Sequence, residues 1–99
     1  MSPKFSITKS ANRDIEEIAD YLSKQVSFDR AEAFIHKLDA QFSRIAKFPN
    51  IGRQRNDISD NVRALSVDSY VVVYIPVGRD VEILRVVSRF RNLQTLFDN

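Results

Sequence analysis

The chain has 99 residues, 28% of them charged and 43% hydrophobic, with a formal net charge of +2. This is the size of one domain, expected to span residues 1–99, and the composition is that of a folded chain rather than a disordered one. It has no cysteine, two glycines and one histidine, which excludes disulfides, thiolate metal sites, thiol catalysis and glycine-rich phosphate loops.

Phe5 and Ile7 alternate with Lys4, Ser6 and Thr8, the period of a short strand. The period then changes. Ala11, Ile15, Ile18, Ala19, Leu22 and Val26 fall on one face of a helix that Thr8 or Ser10 can cap. Asp14, Glu16, Glu17 and Asp20 read as its outer, polar face, and the first three suit its positive N-terminal end. After a break at Ser27, Asp29 and Glu32 have the spacing of a capping box. Ala31, Phe34, Ile35, Leu38, Phe42 and Ile45 then define a second amphipathic helix that stops before Pro49. Two such helices with a short joint predict an antiparallel hairpin.

Residues 49–60 are polar and turn-rich, and read as a loop. Strands follow at Val62 to Val67, Tyr70 to Val77 and Asp80 to Arg89, turned at Asp68-Ser69 and Gly78-Arg79. The expected fold is α+β: a helical hairpin on a mainly antiparallel sheet of about four strands, with the N-terminal strand in the same sheet and a short C-terminal tail. Tyr70 to Val77 is apolar on both faces, and one hairpin covers only one. The other face needs the C-terminal segment, with Leu93, Leu96 and Phe97, or a partner chain. The apolar run Val71 to Val77 is far below the roughly 20 residues of a membrane helix, and the N-terminus shows no apolar leader. The cytoplasm is the expected compartment.

His36, the single histidine, reads as solvated, and no metal site or other cofactor is expected. All five lysines precede residue 50, and every basic residue after it is an arginine: Arg53, Arg55, Arg63, Arg79, Arg85, Arg89 and Arg91. The arginine fork suits phosphates and carboxylates. Strand alternation sets Leu84 and Val86 toward the helices and Arg85 on the second sheet face, where Arg63, Tyr70 and Tyr74 can join it. That group could hold a phosphate or an acidic peptide. Alternatively, Arg63 and Arg85 make structural ion pairs with Asp60, Asp68 or Glu82.

The elements Ala11-x-x-Asp14-Ile15-x-x-Ile18-x-x-Tyr21, Pro49-x-Ile51-Gly52-Arg53-x-Arg55, Arg63, Tyr70-Val-Val-Val-Tyr74 and Ile83-Leu-Arg85-Val86 together resemble the ParE/RelE toxins of bacterial type II toxin–antitoxin systems. The resemblance spans nearly the whole chain. It implies a small α+β toxin neutralised by a cognate antitoxin that wraps over it, usually encoded next to it, with operator DNA contacted only through that antitoxin. Arg53, Arg55, Arg63, Tyr70, Tyr74, Arg85, Arg89 and Arg91 are the candidate residues for binding target or antitoxin.

Within that family, RelE-like members cleave mRNA on the ribosome, and ParE-like members are understood to inhibit DNA gyrase. Arg63 and Arg85 match positions where the ribonucleases place phosphate-stabilising arginines. RNA cleavage also needs a proton-transfer pair. Ser88 stands where many relatives have histidine, Phe90 and Phe97 where ribonucleases use tyrosine, and a strand tyrosine with a pKa of about 10 is a poor base. The sequence therefore favours a gyrase-binding toxin over an enzyme. A ribosome-dependent endoribonuclease and a degenerate member that only binds its antitoxin are the alternatives.

Overall fold

The computed structural model describes residues 3–97; residues 1–2 and 98–99 of the expected domain lie outside the described residues. Strand β1 (Phe5–Ile7) leads into α1 (Lys9–Gln25) and α2 (Phe28–Lys47). Four strands follow, β2 (Arg53–Gln54), β3 (Arg63–Val67), β4 (Tyr70–Val77) and β5 (Asp80–Ser88), and a 3-10 turn at Leu93–Thr95. The sheet runs β1-β5-β4-β3-β2, with β1 parallel to β5 and every other pair antiparallel. This is the α+β hairpin-on-sheet expected, with one strand more. β2 lies inside the segment read as loop, where Arg53 and Gln54 pair with Ala64 and Arg63. Two polar residues carry no alternation that could announce it.

Thr8 caps α1, its Oγ1 accepting from the Ala11 amide at 3.0 Å. Ser27, not Asp29, caps α2, accepting from the Arg30 amide at 3.1 Å. The short Ser hydroxyl sits at the true boundary, and Asp29 falls in the first turn, where its charge suits the helix dipole. Val26, expected on the buried face, is exposed, because α1 has ended there and Val26 is its C-cap. The β3–β4 and β4–β5 hairpins turn on Asp68-Ser69 and Gly78-Arg79 as predicted. Asp68 and Gly78 both take positive φ, +55° and +61°, the first-position geometry of tight hairpins that twist with the sheet.

The hairpin packs on one face of the sheet. Ala11, Ile18, Phe34, Leu38, Phe42 and Ile45 meet Val67, Val72, Tyr74, Val81, Ile83 and Val86. Val62, Val71, Val73 and Val87 form a second core on the opposite face, closed by Leu93 and flanked by Ile58, Ala64, Leu84 and Leu96. Both faces of β4 are thus buried within the chain, with the tail supplying the cover that the two-sided apolar pattern demanded.

The alternation of β5 breaks in the middle. Val73 pairs with Arg85, yet Tyr74 pairs with Ile83, so Leu84 is an extra residue opposite no partner. This bulge shifts the side-chain parity. Ile83 and Val86 both face the helices, and Leu84 and Val87 face the second core. The expectation that Leu84 points at the helices is overturned for this reason. Helix α1 docks on the bulge. The Thr8 hydroxyl donates to the Leu84 carbonyl at 2.9 Å, and the Thr8 amide donates to the Ile83 carbonyl at 3.1 Å. Backbone groups that a bulge takes out of the regular ladder are thereby satisfied.

Candidate functional site

The shared open face expected for Arg63, Arg85, Tyr70 and Tyr74 does not form. Tyr70 and Tyr74 lie on the helix-facing side of β4. Tyr74 is fully buried. Its hydroxyl donates to the Pro49 carbonyl at 2.7 Å and accepts from the Gly52 amide at 2.8 Å. Burial pushes its phenol above the ordinary value, against the opposing pull of the Gly52 amide and the Arg63 charge. Tyr70 packs its ring on Phe34, with centroids 5.0 Å apart.

Arg63 lies opposite Tyr74 in the ladder, so it shares that face. Its Nη1 donates to the carbonyls of Gly52 at 2.7 Å and Asn50 at 3.3 Å. Tyr74 and Arg63 therefore fasten both edges of the Pro49–Gly52 turn to the sheet. This accounts for the residue types in that stretch. A Cβ on Gly52 would lie 2.6 Å from the Tyr74 oxygen, so only glycine lets the backbone come close enough to bond it. The turn delivers Arg53 to the sheet edge with its side chain exposed.

Arg85 reaches α1. Its Nε donates to Asp14 Oδ2 at 2.7 Å and its Nη2 to Oδ1 at 3.0 Å, while the Val86 amide donates to the same carboxylate at 3.0 Å. Asp14 thus belongs to the interior seam between α1 and the bulge, and not to the outer face of the helix. The bond from Asp14 raises the Arg85 pKa above its ordinary value, with burial opposing. The structural alternative holds for Arg85, with Asp14 as partner in place of Asp60, Asp68 or Glu82. Asp68 pairs instead with Lys37 at 2.7 Å.

Arg55 is also engaged. It grips Asp57 through two bonds of 2.9 and 2.8 Å, and Gln94 of the tail donates to the same carboxylate at 3.2 Å. The hydrogen bonds from Arg55 and Gln94 hold the Asp57 carboxyl well below the usual carboxylate range. The bond to Asp57 raises Arg55 in turn.

Of the eight candidate residues, Arg53, Arg89 and Arg91 present exposed side chains with no carboxylate partner among the described residues. Arg89 lies over the ring of Phe90 at 5.0 Å, and Phe90 is 81% exposed. This Arg-Phe-Arg turn follows β5 directly. Near it, Asp14, Glu17, Tyr21, Tyr70, Ser88 and Arg91 help line a groove of about 350 Å³ between α1 and the start of β4. Sequence reasoning did not single out Tyr21 or Glu17 as site residues. Their register on α1, three and seven positions after Asp14, was the available signal, once Asp14 was known to face β5. His36 is exposed on α2. Among the described residues no cluster of three metal-ligating side chains occurs, and no helix is long and apolar enough to cross a membrane.

The chain matches, over residues 5–93, the family model described as the ParE toxin of the type II toxin–antitoxin system, parDE. It is 30% identical over 90 residues to Toxin ParE1 of Mycobacterium tuberculosis, covering 90% of this chain and 92% of that protein. Toxin ParE3 of Caulobacter vibrioides is 29% identical over 86 residues, covering 87% and 86%. A solved chain of the chromosomal ParDE TA system from P. aeruginosa shares the fold at a TM-score of 0.75 and 19% identity, covering 88% of this chain and 96% of that one. With the family model spanning both helices and all five strands, this chain belongs to the ParE toxin family of type II toxin–antitoxin systems.

Proposed function

We propose that this protein arrests growth by binding DNA gyrase and blocking replication, and that a cognate antitoxin neutralises it. The observation that carries the reading is the engagement of the two arginines a ribonuclease would need. Arg85 is locked on Asp14, and Arg63 on the Gly52 and Asn50 carbonyls. A phosphate-stabilising group must be free to meet the charge that develops in the transition state. Tyr74, a candidate proton donor or acceptor, is buried with its hydroxyl bonded on both sides, and burial moves its pKa away from neutrality. The exposed arginines, Arg53, Arg89 and Arg91, can grip an acidic protein surface without any proton transfer.

The test is induction without antitoxin, followed by pulse labelling of DNA and protein synthesis, with a supercoiling assay using purified gyrase. DNA synthesis is expected to stop first, and supercoiling to be inhibited. An early halt in protein synthesis, with new cuts inside the codons of a translated message, would establish the ribonuclease reading instead. Absence of growth arrest would leave antitoxin binding as the chain's activity.

A further inference from the structure

We infer that residues 92–97 form a hinged strap, which opens on the Arg-Phe-Arg turn while the rest of the fold stays closed, and which in its closed state holds that turn in place. The strap is what covers the second face of the sheet. Leu93, 8% exposed, closes the layer of Val62, Val71, Val73 and Val87, and half-buried Leu96 flanks it. Asn92, Gln94, Thr95 and Phe97 are exposed. The strap satisfies its own hydrogen bonds. Asn92 Oδ1 accepts from the Gln94 amide at 3.0 Å, and the Asn92 carbonyl accepts from the Thr95 hydroxyl at 2.9 Å and the Thr95 amide at 3.3 Å. The Leu93 carbonyl accepts from the Leu96 amide at 3.2 Å. Among the described residues, its one hydrogen bond to the rest of the chain runs from Gln94 Nε2 to Asp57 Oδ2 at 3.2 Å, between exposed side chains.

The strap can therefore lift without breaking a backbone hydrogen bond to the sheet. Segments held by so few buried contacts open locally, at a free energy well below that of global unfolding. The opposite face differs, because two helices of 17 and 20 residues close it. The hinge is also marked. The Arg89 amide donates to the Ser69 carbonyl at 3.0 Å, and beyond that tie the chain bonds back on itself, Arg91 amide to Ser88 carbonyl at 3.0 Å and Phe90 amide to Ser88 Oγ at 3.3 Å. With Leu93 seated, the turn is held at both ends. With the strap lifted, only the β5 end remains. One consequence rests on the gyrase reading given above: Arg89 and Arg91 presented in one arrangement lose less freedom on meeting a target than the same groups on a loose segment.

The experiment exploits the absence of cysteine from the chain. Val73→Cys puts one thiol under the strap, and Val72→Cys puts one under the helices on the opposite face of the same strand; both positions are 0% exposed. Labelling of each variant by a maleimide is followed across low urea concentrations. The Val73→Cys protein is expected to label about tenfold faster or more, at a rate nearly independent of urea, because lifting the strap exposes little surface. Val87→Cys is the second reporter if Val73→Cys does not fold. Equal labelling of both faces, with the same steep urea dependence, would overturn the strap. Leu93→Asp, which sets a carboxylate against an apolar seat, is expected to speed hydrogen exchange at the Arg91 amide about tenfold; Leu93→Asn replaces it if the charged variant does not fold. Unchanged exchange there would overturn the hold on the turn. In the supercoiling assay Leu93→Asp is expected to inhibit gyrase about tenfold more weakly, as when only a tenth of the molecules are competent. Equal inhibition would overturn the effect on the target. No inhibition by the unaltered chain would overturn the gyrase reading and that effect with it, while labelling and exchange still decide the strap.

Discussion

Asp14 and Arg85 lie 71 positions apart in the chain and meet at 2.7 Å, with 11% and 17% of their side chains exposed. The carboxylate carries three hydrogen bonds there, one of them from the Val86 amide beside the bulge. Removing it strands a guanidinium and a backbone donor together. Asp14→Ala is expected to cost about 2–4 kcal/mol, while Asp14→Ala with Arg85→Met costs less than Asp14→Ala alone. Urea unfolding of the two variants checks the order. A single-variant loss under about 1 kcal/mol would mean that the pair behaves as a surface ion pair.

Gly52→Ala is expected to destabilise the fold by about 1–3 kcal/mol, the range for overpacking a filled site. The new Cβ would stand 2.6 Å from Tyr74 Oη and 2.7 Å from Cε1. Tyr74→Phe removes only the first of these clashes, so the double variant stays below Tyr74→Phe in melting temperature. Full recovery in the double variant would place the conflict on the hydroxyl alone.

The raised Tyr74 pKa fixes the sign of an alkaline effect. The folded protein holds the phenolic proton more tightly than the unfolded chain does. Its contribution is therefore complete below the unfolded value of about 10 and is lost as pH rises through the higher folded value. Absorbance at 295 nm is expected to show one of the three tyrosines ionising late, and that late step is absent from Tyr74→Phe. Three tyrosines titrating together near pH 10 would contradict the buried, doubly bonded hydroxyl.

Asp57 links the segment before β3 to the tail, through Arg55 on one side and Gln94 on the other. Its lowered pKa means that the link is complete above the unfolded carboxyl value of about 4 and is lost as pH falls through the lower folded value. Asp57→Asn is expected to speed hydrogen exchange at the Thr95 and Leu96 amides at neutral pH. Unchanged exchange would assign the hold on the tail to the apolar seat of Leu93.

Much of the architecture was legible because it rests on period. The 3.6-residue stripes of α1 and α2 and the β-branched run of β4 each announced themselves, and the apolar excess of β4 foretold a second layer. What the sequence hid were departures from period. Nothing in Ile83-Leu84-Arg85-Val86 marks Leu84 as the extra residue, so strict alternation put Ile83 and Leu84 on the wrong faces and gave no sign that Arg85 meets Asp14. The role of Asp14 followed that error, since a carboxylate near a helix start has an ordinary explanation in the dipole. Gly52 and Tyr74 were both noticed in the family pattern, but their contact spans 22 positions and depends on how the turn folds back.

The sheet order also sets a schedule for synthesis. β1 is made first, yet its ladder partner is β5, the last strand. Thr8 and Asp14 likewise wait for Leu84, Arg85 and Val86 before their bonds can close. Pairings between chain ends are slow to form, since a long loop must close before they return any stability. A nascent chain that stops before Asp80 therefore has its helices but no seam to hold α1 against the sheet. The seam closes only once β5 has been made, and a chain cut within β5 lacks the Arg-Phe-Arg turn and the Arg91 side of the groove alike.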